Sequence, residues 1–422
     1  MTETLSTPQR RRTGQVGMGV AVGIAVVLLL VGIGGGYFLG VDLNKTKTTT
    51  IQLTETGSTL IYPLMNTGWG PAYHTANSNV VLAAAGTGSG TGQTDAEQAL
   101  VNIGGSDAYL VGSTGYGPNS YGVLNVPVAI SAQLVYYNIP GVTQNLNLNG
   151  TMLAEIYSGV ITSWDDPLIE AAQTSAVNTE LNATAGHAIV PLVRADSSGD
   201  TFIFSAYCDA SYSAWTYGVS TSAFSHTTWT GETGNSQMAS GVVATSYAIA
   251  YIGISYKSST GSLPYAALGD NLSLSASGGT DPSNYVLPTA QTIQDDANLG
   301  LTHLEFKYEG LAVSLILGGS WHGATNVTLG AGGTNPTPSS PHPYPIVNLE
   351  YALIKSAPVA SSIVTSTTLA ATVSFLEWAI SVGNYAASPV GATSTYLNAV
   401  NFVPLTPAVI GYDQQTLAEV QT

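Results

Sequence analysis

Apolar runs of strand length alternate along this chain with segments of helical periodicity. The strand-like runs are VVLAAA at 80–85, VPVAISAQLVYYN at 126–138, AIVPLVRA at 188–195, AIAYIGISY at 248–256 and YPIVNLEYALI at 344–354. The helical segments are TDAEQALV at 94–101, TMLAEIYSG at 151–159, TFIFSAYCDAS at 201–211 and SFLEWAISVGNY at 374–385. This alternation predicts an α/β fold with largely parallel sheets.

The first fifty residues follow a different pattern. Residues 16–41 contain no charged side chain and are long enough to cross a bilayer as a helix. Three arginines precede them, so residues 1–15 are expected in the cytoplasm and the body outside. We therefore predict a single-pass anchor in the cell membrane, a linker at 42–50 and an extracellular body from residue 51. A cleaved signal peptide is the alternative for the apolar segment.

Charge narrows the possible functions. The chain carries 9 Lys and Arg against 25 Asp and Glu, and beyond residue 50 four basic residues stand against 23 acidic ones. Nucleic-acid binding is excluded, because it needs clustered Lys and Arg. Charged residues make up only 8% of the chain. Such a composition fits either the neutral polar surface of an exported domain or an acidic habitat that protonates exposed carboxylates.

Three polar loops lead into helical runs: GST at 57–59, GTGSGTG at 86–92 and SSGD at 197–200. Helix N-termini present unpaired N–H groups and a positive dipole end, so each loop is either an ordinary N-cap or part of an anion site. The third loop lies beside Arg194, the only arginine after residue 12. Arginine suits forked recognition of phosphate or carboxylate, which favours an anion site at this loop.

The sequence contains no comparable motif for a metal site or for a catalytic nucleophile. The six histidines form no HxH or HExxH spacing, and Cys208 is the only cysteine, which excludes an intrachain disulfide and a cysteine-based metal site. No G-x-S-x-G elbow occurs. We therefore predict no catalytic residue, no metal and no cofactor, and a protein that is not an enzyme.

Ten longer segments between residues 57 and 410 form a specific combination. They are GSTLIYPLM, AGTGSGTGQ, NIGGSDAYL, VPVAISAQLVYYNIPGV, LNGTMLAEIYSGVITSWDDPLI, IVPLVRADSSGDTFIFSAY, AYIGISY, YPIVNLEYALI, FLEWAISVGN and VNFVPLTPAVI. In these segments the chain resembles the phosphate-binding proteins of ABC-type phosphate importers. The resemblance implies a two-lobed, type II periplasmic-binding-protein-like fold with the ligand in the cleft. Lobe 1 would comprise 51–130 and 346–422 and lobe 2 would comprise 131–345, with crossings near 126–131 and 344–348.

The same resemblance implies the residues that contact phosphate. They are Thr59, Leu60, Ser89, Asp107, Arg194, Ser198, Gly199 and Asp200, and Asp196 would brace Arg194. Asp107 would accept the proton of a P–OH group, which fully ionised sulfate lacks. Asp200 stands where the enteric-style pattern has Thr, and it is a candidate second acceptor. Leu60 replaces an aromatic residue and would make its contact through the backbone N–H.

The implied function is that of an extracellular receptor. It would capture inorganic phosphate and deliver it to the ABC permease subunits of an importer. A phosphatase-like enzyme and a surface-adhesion protein are the alternatives that reuse this fold. The sequence has no metal or nucleophile motif, which argues against the enzyme. It keeps the set Arg194, Asp107 and Ser89, which argues against an adhesion protein that no longer binds an anion.

Overall fold

The computed structural model describes residues 49–110, 119–183, 185–222, 229–269, 281–303, 343–386 and 392–422. The chain divides into two units, Met1–Thr49 and Thr50–Thr422, and the elements below belong to the second. The predicted membrane segment at 16–41 lies outside the described residues. Within the described ranges, no helix is both long enough and apolar enough to span a bilayer.

The described strands form two sheets. The strands are β1 (Ile51–Gly57), β2 (Val80–Gly86), β3 (Ile103–Ser106), β4 (Val123–Tyr137), β5 (Asn147–Asn149), β6 (Val190–Arg194), β7 (Thr230–Glu232), β8 (Ala248–Gly253), β9 (Ala267–Gly269), β10 (Tyr285–Val286) and β11 (Val347–Lys355). A large sheet has the order β2-β1-β3-β11-β4-β8-β6-β7, and a small one has the order β10-β9-β5.

The α-helices of the described ranges follow most of the strands. They are α1 (Gly70–Ala76), α2 (Ser89–Glu97), α3 (Gly150–Ile156), α4 (Pro167–Ala171), α5 (Ser175–Asn182), α6 (Gly199–Ser211), α7 (Gly234–Ala244), α8 (Ala290–His303), α9 (Ser366–Ile380), α10 (Thr395–Ala399) and α11 (Pro407–Ala418). A π-helical turn at Leu64–Trp69 precedes α1, and 3₁₀ segments occur at Ile254–Thr260 and Pro282–Asn284. The α/β class predicted from the sequence is confirmed.

The large sheet is mixed, so the prediction of largely parallel sheets is wrong at its centre. β1 pairs in parallel with β2 and β3, and β6 pairs in parallel with β7 and β8. Between these groups, β11 is antiparallel to β3 and β4, and β4 is antiparallel to β8. The two parallel groups therefore run in opposite directions, and an alternation of strands and helices along the sequence does not reveal such a reversal.

The long strand β4 places the ends of the two parallel groups near each other. Ser106 at the end of β3 is opposite Tyr351, which is opposite Pro127 of β4. From the other side, Gly253 at the end of β8 is opposite Gln133 of β4. The carboxyl ends of both groups thus converge on the middle of β4. Ligands of open α/β sheets bind at such carboxyl ends.

The capping residues mark the starts of the helices more accurately than the apolar pattern of the sequence does. The helix predicted at 374–385 begins eight residues earlier, at Ser366, because Thr365 and Thr368 form a reciprocal capping box. Helix α6 begins at Gly199, one turn after the end of β6, and Ser198 accepts a hydrogen bond from the N–H of Thr201 at 3.3 Å. Cys208 lies fully buried on α6.

The core of the large sheet also contains a buried acid on β1. Glu55 on β1 is fully buried, and burial raises its pKa to about 8. Backbone groups of Ala85 and Gly105 offset part of the rise. Glu55 is therefore mostly protonated at neutral pH, which makes its burial tolerable.

Candidate functional site

Arg194 ends β6 as a buried cation held by two acids. Its side chain is 1% exposed. Nε donates to Oδ1 of Asp196 at 2.7 Å, Nη2 donates to Oδ2 of Asp196 at 2.5 Å, and Nη1 donates to Oδ2 of Asp200 at 2.5 Å. The guanidinium has five N–H groups, so two of them have no acceptor among the described residues.

The electrostatics of this cluster favour a permanent positive charge on Arg194. Burial alone would lower its pKa, but the hydrogen bond to Asp196 and the charges of Asp200 and Asp196 raise the pKa above its usual value. Burial likewise opposes ionisation of Asp196, and the bond and charge of Arg194 outweigh it and lower the pKa of Asp196. Asp196 is therefore ionised and orients the guanidinium.

Asp200 lies on the other side of Arg194, in the first turn of α6. Its carboxylate also accepts hydrogen bonds from Asn235 at 2.7 Å and from Gln133 at 3.3 Å. Gln133 additionally donates to its backbone carbonyl at 2.9 Å. Burial, followed by the negative charge of Asp107, raises the pKa of Asp200 to about 6, although Arg194 counteracts both. Both carboxylate oxygens of Asp200 thus already have protein donors.

Asp107 forms the opposite side of the site, directly after β3. Ser58 donates to its Oδ1, and Ser89 donates to its Oδ2 at 3.2 Å. Asn348 of β11 donates to its backbone carbonyl at 2.6 Å. Glu350, also on β11, directly precedes Tyr351, which is opposite Ser106, so the strand register places Glu350 beside Asp107. Two hydroxyl donors and a fixed backbone hold Asp107 as an acceptor.

The first helix-start loop contains Leu60 and Thr59. The N–H of Leu60 donates to Oγ of Ser58 at 3.0 Å, so in this structure it is used inside the protein. Thr59 is 8% exposed and its hydroxyl accepts from Nδ2 of Asn235 at 2.9 Å. Asn235 thereby bridges Thr59 and Asp200.

Glycines allow the loops to approach each other closely. A Cβ atom on Gly199 would lie 2.6 Å from Oγ of Ser89, and one on Gly90 would lie 2.1 Å from Oγ of Ser197. The N–H of Gly90 donates to the carbonyl of Ser197 at 3.1 Å. The second and third helix-start loops are therefore in direct contact, and a larger residue at either glycine would separate them.

A cleft of about 210 Å³ opens beside the buried cluster. Its lining residues are Thr59, Tyr62, Gly86, Thr87, Asp196, Thr233, Gly234, Ser236 and Tyr256. Only Thr59 and Asp196 of the predicted site line it, and the other predicted residues lie deeper. The structure thus brings all nine residues into one connected cluster, with an opening at the Thr59 side.

Sequence reasoning missed five polar residues of this cluster. They are Ser58, Gln133, Asn235, Asn348 and Glu350. Asn235 had a usable signal, because TGNSQM at 233–238 is a fourth polar, Gly-containing start to a helix. The three residues on β4 and β11 had a weaker one: each is a polar residue inside an apolar strand, and a buried polar group needs a partner.

The family follows from comparison with known proteins. The PBP superfamily domain matches residues 44–382, and the chain belongs to this superfamily. In sequence it is similar to the phosphate-binding protein PstS of Methanocaldococcus jannaschii, at 30% identity over 269 residues, which is 60% of this chain and 63% of that protein. It is also similar to the phosphate-binding protein PstS 3 of Mycobacterium leprae, at 31% identity over 171 residues, 39% of this chain and 43% of that protein. The chain thus spans less than two thirds of these relatives.

Solved structures support the two-lobed fold. One is a phosphate ABC transporter substrate-binding protein from Clostridium perfringens, with a TM-score of 0.51 at 15% identity, covering 84% of this chain and all of that one. Another is the periplasmic phosphate-binding protein PfluDING, with a TM-score of 0.56 at 17% identity, covering 87% of this chain and 93% of that one. At these identities the likeness concerns the fold.

Proposed function

We propose that this protein is a receptor that captures inorganic phosphate and delivers it to an ABC-type importer. The observation that carries the proposal is one buried site with two complementary parts. Arg194 has two N–H groups without an acceptor among the described residues, and Asp107 holds a carboxylate in the same cluster. A cation and an acceptor together suit an anion that also carries a proton.

The chemistry of this pair distinguishes phosphate from sulfate. At neutral pH phosphate keeps at least one P–OH group, which donates to Asp107 while its other oxygens accept from Arg194, hydroxyls and backbone N–H groups. Fully ionised sulfate has no proton, so one of its oxygens would meet the carboxylate of Asp107 without a hydrogen bond. An unpaired, repelled oxygen in a buried site weakens binding by orders of magnitude.

The contacts support the proposed ligand residues to different degrees. Ser89 donates to Asp107, and Gly199 lies against Asp107. Ser198 caps the helix that Gly199 begins, and Arg194 bonds Asp200 of the same helix. For Asp200 we retain a role in the site, and its bonds to Arg194, Asn235 and Gln133 support the holding of Arg194 more than a second P–OH contact.

Lobe boundaries and membrane attachment belong to the same proposal. Lobe 1 would comprise 51–130 and 346–422, and lobe 2 would comprise 131–345. The pairing of β4 supports this division, because it pairs with β11 up to Ala132 and with β8 from Gln133. Residues 16–41 would anchor the receptor in the cell membrane with the body outside, next to the permease subunits.

The names of the relatives support the ligand and the partner. Both sequence relatives are called phosphate-binding proteins, and the protein from Clostridium perfringens is described as part of a phosphate ABC transporter. They support a role in binding and delivery, and we propose that the protein is not an enzyme.

Titration calorimetry with phosphate and sulfate tests the proposal. We expect heat of binding with phosphate and at least a hundredfold weaker response to sulfate. Asp107→Asn should weaken phosphate binding and reduce the preference over sulfate. The matched control is Asp209→Asn, the same exchange at an exposed position of α6. Absence of heat with both anions would contradict the receptor function.

A further inference from the structure

Glu350 is a buried acid in direct contact with the proposed phosphate acceptor. It lies on β11, two residues after Asn348, whose side chain bonds the backbone carbonyl of Asp107 at 2.6 Å. Glu350 directly precedes Tyr351, which is opposite Ser106 of β3, so the antiparallel register places Glu350 beside Asp107. The side chain of Glu350 is fully buried. Its Oε1 accepts from Oγ of Ser131 at 2.5 Å, and no described donor reaches its Oε2.

The charges of the site require one of its acids to hold a proton. Four acids, Asp107, Asp196, Asp200 and Glu350, surround a single cation, Arg194. Arg194 is bonded to Asp196 and Asp200, so the contact between Asp107 and Glu350 has no cation of its own. Two touching, buried carboxylates cannot both ionise without a large cost.

Hydrogen bonds indicate which acid of this pair is protonated. Asp107 receives two hydroxyl donors, from Ser58 and Ser89, and such donors stabilise the charged form. Glu350 receives one, from Ser131. Burial and then the charge of Asp107 raise the pKa of Glu350 well above its usual value. The proton therefore lies on Glu350 and points to Asp107.

This arrangement sets the acceptor capacity of Asp107. A carboxylate has about four lone-pair positions. Ser58, Ser89 and the protonated Glu350 would occupy three of them, which leaves one for a P–OH group. A neutral Glu350 also adds no negative charge next to the incoming anion. Other titratable groups near the pair are Asp200 on α6 and Tyr351, the next residue on β11.

We propose that Glu350 is a positioning residue that donates a hydrogen bond to Asp107 and keeps that acid a single-site acceptor for phosphate. The inference rests on the proposed phosphate function for its binding consequence. The location of the proton on Glu350 does not depend on that function.

Two variants of Glu350 test the inference. Glu350→Gln keeps a neutral donor toward Asp107 and an acceptor for Ser131, whereas Glu350→Leu removes both. In calorimetry between pH 5 and pH 7, we expect Glu350→Gln to bind phosphate within about threefold of the wild type. Glu350→Leu should bind about tenfold more weakly at every pH, since one hydrogen bond to a charged group is lost. The titration of phosphate itself affects all three proteins equally.

An infrared measurement tests the proton independently of the ligand. At pH 7 the wild type should show the C=O stretching band of a buried, protonated carboxyl that Glu350→Gln lacks. If the two spectra are identical in this region, or if Glu350→Gln binds phosphate as weakly as Glu350→Leu, the inference is wrong. Should Glu350→Leu not fold, the comparison of the wild type with Glu350→Gln still decides. A wild type that shows the band but binds no phosphate would contradict the proposed function and leave the protonated Glu350 in place.

Discussion

Gly199 lies so close to Asp107 that a Cβ atom on Gly199 would come within 2.5 Å of both Cβ and Oδ2 of Asp107. Gly199 starts α6, and Asp107 follows β3, so this contact joins the two parallel groups of the large sheet. Real Cβ atoms do not approach other atoms at this distance, and the site can close only around a glycine.

Gly199→Ala should therefore keep the two sides of the site apart. We expect phosphate affinity to fall at least a hundredfold, because the contacts of Asp107 and Arg194 to one anion need the closed form. Calorimetry measures the loss. Gly411→Ala is the matched control, since Gly411 lies on α11 with no atom within 4 Å of an added Cβ. Equal affinities of the two variants would contradict the proposed role of the close contact.

Arg194→Lys should abolish most of the binding while it preserves the charge. An ammonium group cannot bond Asp196 through two parallel N–H groups, reach Asp200 and still present two donors to an anion. We expect a loss of about 3 kcal/mol in binding free energy, roughly a hundredfold in Kd. Lys257→Arg, at a lysine that lies 4.9 Å from the ring centroid of Tyr265, is the control and should bind as the wild type does. A Kd within threefold of the wild type for Arg194→Lys would exclude forked recognition.

Asn235→Ala should weaken both the fold and the site. Asn235 donates to Thr59 and Asp200, and its Oδ1 accepts from the N–H of Gly253 at 2.8 Å. Loss of these buried bonds costs about 2–4 kcal/mol in the free energy of unfolding. Urea unfolding checks this value, and calorimetry should show weaker phosphate binding. Asn182→Ala, at the exposed end of α5, is the control variant. If both variants lower the free energy of unfolding by a similar small amount, Asn235 does not stabilise the fold by bridging Thr59 and Asp200.

Glu55→Gln should change how stability depends on pH. The pKa of Glu55 is raised from 4.5 to about 8, so between these values the folded state holds a proton that the unfolded state has released. The stabilisation from this proton is complete below about pH 4.5, and it is lost as the pH rises toward 8, by about 1.4 kcal/mol per pH unit.

The neutral glutamine removes this dependence. Urea unfolding at pH 5 and pH 8 gives the free energy of unfolding of the wild type and of Glu55→Gln. Between these pH values, the wild type should lose several kcal/mol relative to Glu55→Gln. Glu377→Gln, the same exchange at an exposed position on α9, is the matched control. Parallel pH profiles for the wild type and Glu55→Gln would mean that Glu55 is ionised in the folded state.

Local signals in the sequence predicted the elements and much of the site. A lone arginine before a capped helix indicated the loop after β6 as a candidate anion site. The resemblance added Asp107 and Ser89 to this candidate site. These features depend on neighbouring residues, so a short window contains them. The α/β class followed from the alternation of strand-like and helical runs.

Contacts between residues far apart in the sequence could not be predicted from such local signals. Nothing near Glu350 in the sequence indicates that it contacts Asp107, because the contact depends on the pairing of β11 with β3 and β4. The same pairing reverses the strand direction at the centre of the sheet. The donation from Gln133 to Asp200 likewise depends on where β4 changes its partner from β11 to β8. The alternation of strand-like and helical runs predicts the strands and helices themselves. Which of them contact each other depends on how they pack in the folded chain.

The position of β11 between β3 and β4 also determines the order in which the fold can be completed. Tyr351 pairs with Ser106 and with Pro127, more than 200 residues earlier in the chain. During synthesis, β3 and β4 lack their common partner until residues 347–355 have emerged. Such non-local pairing slows folding and leaves early strands exposed to other chains. The strand that carries Asn348 and Glu350 to the site is thus also the one whose arrival completes the sheet, so that a truncated or stalled chain would lack both.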